Sequence, residues 1–203
     1  WYVPGVCNST VLTTSAFTVN VLRAVPFVAE TPYILDGIGF NVTTVSGANG
    51  KARVGIYEAS PSGSGLFYPR TRLYDGGEQN VASAIGAKTP TGIGIELTMG
   101  ALYFAAYICG TAAPTIRAIP VSGEIPSLGF GATLPAAPQV GYTVASTYSS
   151  TAGLPAIFPS GATALTTPTP AIFLRYLAVS TSTRHYAVYS PARQGFRFVR
   201  SRI

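Results

Sequence analysis

The stretch Phe67-Tyr68-Pro69-Arg70-Thr71-Arg72 sets two aromatic rings and two guanidinium groups around a single proline. Aromatic faces stack on the apolar faces of sugar rings, and nearby polar groups hydrogen-bond to the hydroxyls. With Tyr57 before it and Tyr74 after it, the stretch gives a candidate glycan-binding set: Tyr57, Tyr68, Arg70, Arg72 and Tyr74. The plainer reading makes Phe67 and Tyr74 core residues and the arginines rim charges.

Catalytic chemistry has fewer footholds. His185 is the only histidine, and the neighbouring Arg184 disfavours its charged form. No serine stands in a G-x-S-x-G setting. Paired carboxylates could serve glycan hydrolysis, and Asp75, Glu78 and Glu58 are the acids to consider. Asp75-Gly76-Gly77-Glu78 is more simply a turn with solvated charges. Asp36 before Gly37 is expected to be a turn or bulge residue, and one carboxylate is too few for calcium. No C-x-x-C is present, which argues against structural zinc. Cys109 lies in an apolar run and is expected to behave as a small buried hydrophobe, with pairing to Cys7 left open. The expectation is a non-enzyme with no cofactor and no metal.

The net charge of +6 is unevenly placed. From Arg184 onward there are five arginines and no acid, while the rest of the chain carries eight basic against seven acidic residues. Such a tail can bind nucleic acid, an anionic surface or an acidic partner. Here aromatics alternate with the arginines, which favours a docking arm or a final strand over a nucleic-acid arm. The docking candidates are Arg184, Tyr186, Arg193, Phe196, Arg197, Phe198, Arg200 and Arg202.

The elements that must position these groups are strands. Ala16 to Ala29 alternates in part and reads as one long strand, with Pro26 at an edge or bulge. Ile38, Phe40 and Val42 alternate with Gly39, Asn41 and Thr43, a period of two that buries one face. Asn49-Gly50 turns the chain, and Lys51 to Ala59 returns with Ala52, Val54 and Ile56 on one face. Leu66–Tyr74, Ile93–Met99, Ala101–Cys109, Thr115–Ile119 and Ala171–Val179 follow as strands, the fourth of these short and the third the most buried by composition. Residues 120–170 are rich in Pro, Gly and Ala, with Glu124 the sole charge. That is too apolar for a flexible linker, so an ordered excursion over the sandwich or a neighbouring subunit is expected, with a strand near Val140–Ser146. No segment shows a helical apolar period.

Hydrophobic residues make up 47% of the chain and charged residues 10%, against about 25% charged in an average domain. No apolar run approaches the roughly 18 residues of a membrane helix. The composition therefore points to extra burial in an oligomer, without membrane insertion.

Leu35-Asp36-Gly37-Ile38-Gly39-Phe40-Asn41-Val42, then Ala52-Arg53-Val54-Gly55-Ile56-Tyr57, then Gly100-Ala101-Leu102-Tyr103-Phe104-Ala105-Ala106-Tyr107 resembles, in order and pattern, a β-sandwich module of tailed-bacteriophage virion proteins. The similarity covers roughly residues 16–119 and a closing strand near 172–179. It implies an all-β, antiparallel, jelly-roll-like sandwich; the Pro-rich excursion 120–170 and the tail 184–203 are not part of its pattern, and composition and charge place the excursion within a domain of residues 1–183 and make 184–203 a docking arm or final strand. It also implies a structural protein on the virion exterior: a tail-fibre or spike domain, or a capsid-decoration protein, often homotrimeric. Partners would be copies of the chain, neighbouring virion proteins and a host surface glycan, rather than nucleic acid. A stand-alone carbohydrate-binding module is the alternative from another class.

Overall fold

The fold is that of a computed structural model, which describes residue 3, residues 12–29, 34–61, 67–120, 140–165 and 168–177, and the backbone strands 185–190 and 195–200. The strands in chain order are β1 (Thr13–Ala16), β2 (Val21–Val28), β3 (Ile34–Thr44), β4 (Lys51–Pro61), β5 (Phe67–Asp75), β6 (Gln79–Asn80), β7 (Gly86–Lys88) and β8 (Thr91–Glu96). They continue with β9 (Leu102–Gly110), β10 (Thr115–Ile119), β11 (Tyr142–Ala145), β12 (Thr163–Ala164), β13 (Thr169–Pro170), β14 (Phe173–Leu177), β15 (His185–Ser190) and β16 (Gly195–Arg200). No helix occurs among the described residues.

Two antiparallel sheets face each other as a β-sandwich. The first runs β1-β10-β3-β14, with β7 and β8 also on β3 and β13 on β10. The second runs β12-β11-β2-β9-β4-β5, with β6 on β4. β15 and β16 form a separate two-stranded hairpin. The period-two pattern decides the inner faces: Leu35, Ile38, Phe40 and Val42 of β3 meet Ala52, Val54 and Ile56 of β4 and Ala105, Tyr107 and Cys109 of β9. Tyr107 is the central ring, edge-on to Phe40 at 5.3 Å and to Phe17 at 5.9 Å.

The outer face of the second sheet is covered as well. Leu22 and Ala24 of β2, Tyr57 of β4, and Phe104, Ala106 and Ile108 of β9 form a second core with Tyr142, Leu154 and Phe158. β9 is thus buried along both faces, which is why its sequence is apolar almost without alternation. The returning segment 140–165 supplies this cover: β11 pairs with β2 from Tyr142↔Ala24 to Ala145↔Val21, and Ile157 bridges to Thr71 of β5. Part of the excursion expected to lie over the sandwich does so. Residues 121–139 lie outside the described residues. Much of the apolar excess that pointed to oligomerisation is therefore consumed within one chain.

Two local findings refine the strand reading. Of the expected single strand Ala16–Ala29, only Val21–Val28 forms one strand (β2); Ala16 ends β1 of the other sheet, and Asn20, with a left-handed φ of 57°, turns the chain between them. Asn20 N–H donates to Cys109 O (2.8 Å), while Asn20 O and Oδ1 accept from the N–H groups of Ser146 and Tyr148 (both 2.9 Å). Asp36 is a β-bulge residue, as expected: Leu35 pairs with Tyr176 and Gly37 with Arg175, which leaves Asp36 unopposed. Pro26 pairs with Phe104 of β9 at a point beyond the β11 ladder, a local edge that suits a residue without an N–H.

Candidate functional site

β5 carries most of the aromatic and arginine set, and β4 carries Tyr57 opposite it (Tyr57↔Arg72). Both present their outer faces to the returning segment 148–162. Instead of an open binding face, the side chains form a clamp.

Tyr57 was expected at the surface and is fully buried. Its hydroxyl donates to Pro155 O (2.8 Å), and its ring meets Phe158 edge-on at 5.3 Å. Burial pushes its pKa well above that of a free tyrosine. Tyr68 is half-buried, packed against Tyr142 (4.8 Å) and Phe158 (5.7 Å). Its hydroxyl donates to Pro159 O (2.6 Å) and accepts from Ala162 N–H (3.2 Å). Arg72 donates to Leu154 O and pairs with Asp75 Oδ2 at 3.6 Å. Tyr74 packs against the inter-sheet core, and burial followed by the Asp75 charge raises its pKa. Arg70 keeps an exposed side chain, while its carbonyl accepts from Phe158 N–H (2.7 Å). Phe67, 47% exposed, is the one ring of the stretch that remains open to a ligand.

Asp75 is the polar centre of the clamp. Its Oδ1 accepts from Arg53 (3.0 Å) and Gly77 N–H (2.9 Å), and its Oδ2 accepts from Leu154 N–H (2.7 Å). Arg53 also donates to Ser149 O (3.1 Å) and Ser150 O (2.6 Å). Asp75 is therefore more than the solvated turn charge expected, since it accepts a main-chain bond from a loop 79 residues away. Glu78 pairs with Lys51 (2.9 Å) and accepts from the Tyr148 hydroxyl (3.1 Å). The Lys51 bond holds the Glu78 carboxyl below the usual range, while burial and then Glu78 push Tyr148 up to about 12. Both carboxylates are thus matched to cations, an arrangement suited to fixing a loop. Glycines make room for it: a Cβ on Gly55 would lie 2.4 Å from Leu154 Cδ1, and one on Gly110 would lie 2.3 Å from the Tyr148 ring.

Elsewhere, Cys109 is a free buried thiol facing Phe17 O (3.4 Å), and burial raises its pKa. Cys7 lies outside the described residues. Among the described residues, no group of three His, Cys, Asp or Glu could hold a metal. Of the docking set, Arg184, Arg193 and Arg202 lie outside the described residues. Tyr186, Phe196, Arg197, Phe198 and Arg200 fall on β15 and β16, which pair from His185↔Arg200 to Ser190↔Gly195.

A feature absent from the sequence reading lies on the outer face of the first sheet. A cleft of about 230 Å³ is lined by Gly39, Phe40, Asn41, Ala87, Thr89 and Phe173. Its sequence signal is the glycine alternation Gly37-Ile38-Gly39, which leaves that face of β3 without side chains at those two positions.

No protein-family model matches this chain, and no curated protein does.

Proposed function

We propose that this chain is a non-enzymatic structural module on the exterior of a tailed-bacteriophage particle, a tail-fibre or spike domain that assembles with copies of itself, as a homotrimer. Residues 184–203 dock it to a neighbouring virion component.

The observation that carries this reading is where the resembling blocks fall in the sandwich. Leu35–Val42 lies on β3, Ala52–Tyr57 on β4, and Leu102–Tyr107 on β9. These strands supply much of the inter-sheet core, so the likeness lies in the framework of the domain and not in its loops. Two further features support it. The acids and tyrosines around Asp75 hold a loop in place, which suits a rigid structural part. Large apolar side chains also remain exposed, among them Ile85, Met99 and Leu177, and assembly would cover them.

The test is the molar mass of the purified chain by light scattering, with and without residues 184–203, alongside incorporation of both forms into particles. A trimer in both forms, with incorporation lost in the truncated one, is the expected result. A stable monomer would overturn the assembly reading, and unchanged incorporation of the truncated chain would overturn the docking role.

A further inference from the structure

We infer that the cleft between β3, β7 and β14 is a subsite for one neutral pyranose ring. This deepens the host-contact side of the proposed function and rests on that reading only for the source of the sugar.

The cleft exists because of a glycine. Gly39 stands opposite Phe173 in the β3–β14 register, on the face turned away from the inter-sheet core. A Cβ at Gly39 would lie 2.6 Å from Lys88 O and 2.8 Å from Thr89 Cγ2. The missing side chain lets the segment after β7 close one wall, while Phe173 forms another. Asn41, two residues along the same face, pairs with Ala87 and completes the lining. A volume of about 230 Å³ falls below the roughly 300–1,000 Å³ of pockets for drug-sized ligands, so it suits a single ring.

The lining chemistry selects a sugar. A half-buried phenyl ring offers a face for the C–H side of a pyranose. Asn41 and Thr89 line the cleft, and their amide and hydroxyl are the side-chain polar groups there that a ligand hydroxyl could meet. A wholly apolar occupant would cover the amide without replacing its water bonds, which is unfavourable. Two register pairs further along, Gly37 faces Arg175, whose guanidinium forks onto Asp36 (2.8 and 3.0 Å). That pair carries no net charge, so it does not favour an anion in the neighbouring cleft.

The experiment is saturation-transfer NMR on the intact chain, with a panel of methyl pyranosides (gluco, galacto, manno, N-acetylglucosamine and rhamno) and with toluene as an apolar probe. At least one glycoside should bind at millimolar concentration. Asn41→Ala and Thr89→Val should each weaken it several-fold, and Phe173→Ala should abolish it. Melting curves check that each variant folds. If Phe173→Ala does not fold, the other two variants decide. Thr151→Ala, an exposed change in the segment over the opposite sheet, should change nothing. The inference is overturned if no glycoside binds, if only toluene binds, if the Asn41 and Thr89 variants bind as the parent does, or if Thr151→Ala removes the signal. None of these results depends on particle incorporation, so this inference and the assembly reading can fail separately.

Discussion

Leu154→Ala probes whether the returning segment is integral to the fold. Leu154 is 1% exposed and sits over Gly55, where a Cβ would come within 2.4 Å of its Cδ1. Leu→Ala in a packed site costs about 2.7–5.0 kcal/mol, and least where the surroundings can collapse. The segment around Leu154 is partly exposed, with Ala156 and Ile157 open to solvent, so collapse is available. The expected loss is therefore at the lower end, about 2–3 kcal/mol. For a chain of this size that lowers the melting temperature by roughly 4–12 °C. Urea titration and calorimetry measure the loss, and limited proteolysis should show new cleavage within 148–154. Asp75→Asn loosens the same loop, since Asp75 Oδ2 accepts Leu154 N–H at 2.7 Å. The double variant should then lose less than the sum of the two by roughly 0.5–3 kcal/mol. A Leu154→Ala loss under about 1 kcal/mol, with the two changes additive, would refute the view that 148–162 is part of the folded core.

Asp36→Asn breaks the fork with Arg175. Because Arg175 is 38% exposed, the expected loss is modest, about 1 kcal/mol, read from the urea midpoint. No loss at all would mean that the bulge holds without its ion pair. Tyr148 is pushed up to about 12 in the fold and returns to about 10 when unfolded. Between these values the unfolded chain binds fewer protons, so stability is intact below pH 10 and falls as pH rises through this window. Tyr148→Phe should show a shallower alkaline decline, and equal slopes would count against the assignment. Cys109, buried with its thiol raised, should react with a disulfide reagent only on unfolding when tested in a Cys7→Ser background. Rapid native labelling would contradict its burial.

Local chemistry was enough to read the framework. The alternation of Ile38, Phe40 and Val42, the Asn49-Gly50 turn, the apolar run through β9 and the Asp36 bulge all follow from side-chain period and backbone preference, which act between near neighbours in the chain. The clamp was not legible, because its bonds join residues about 80 to 100 positions apart: Tyr57 to Pro155, Arg53 to Ser149, Asp75 to Leu154. Tyr57 was therefore read as exposed, since the same alternation that turns it away from the inter-sheet core says nothing of a second layer outside the sheet. The Asn20 turn escaped for a related reason. A partly alternating run looks like one strand, but its first residues leave β1 of the other sheet before β2 begins at Val21.

The sequence by itself determined the strands, their inner faces and the basic tail, because these depend on residue type and spacing along the chain. Of the two places open to the ordered excursion, the sandwich or a neighbouring subunit, tertiary structure put segment 140–165 on the sandwich, where it seals the outer face of the second sheet. That pairing turned a sugar-like aromatic stretch into a structural clamp and left the open cleft on the other sheet, beside Gly39. The physical reason is that exposure belongs to the packed layers: a side chain is free or buried according to what the chain lays over it, and here the covering segment lies far away in sequence.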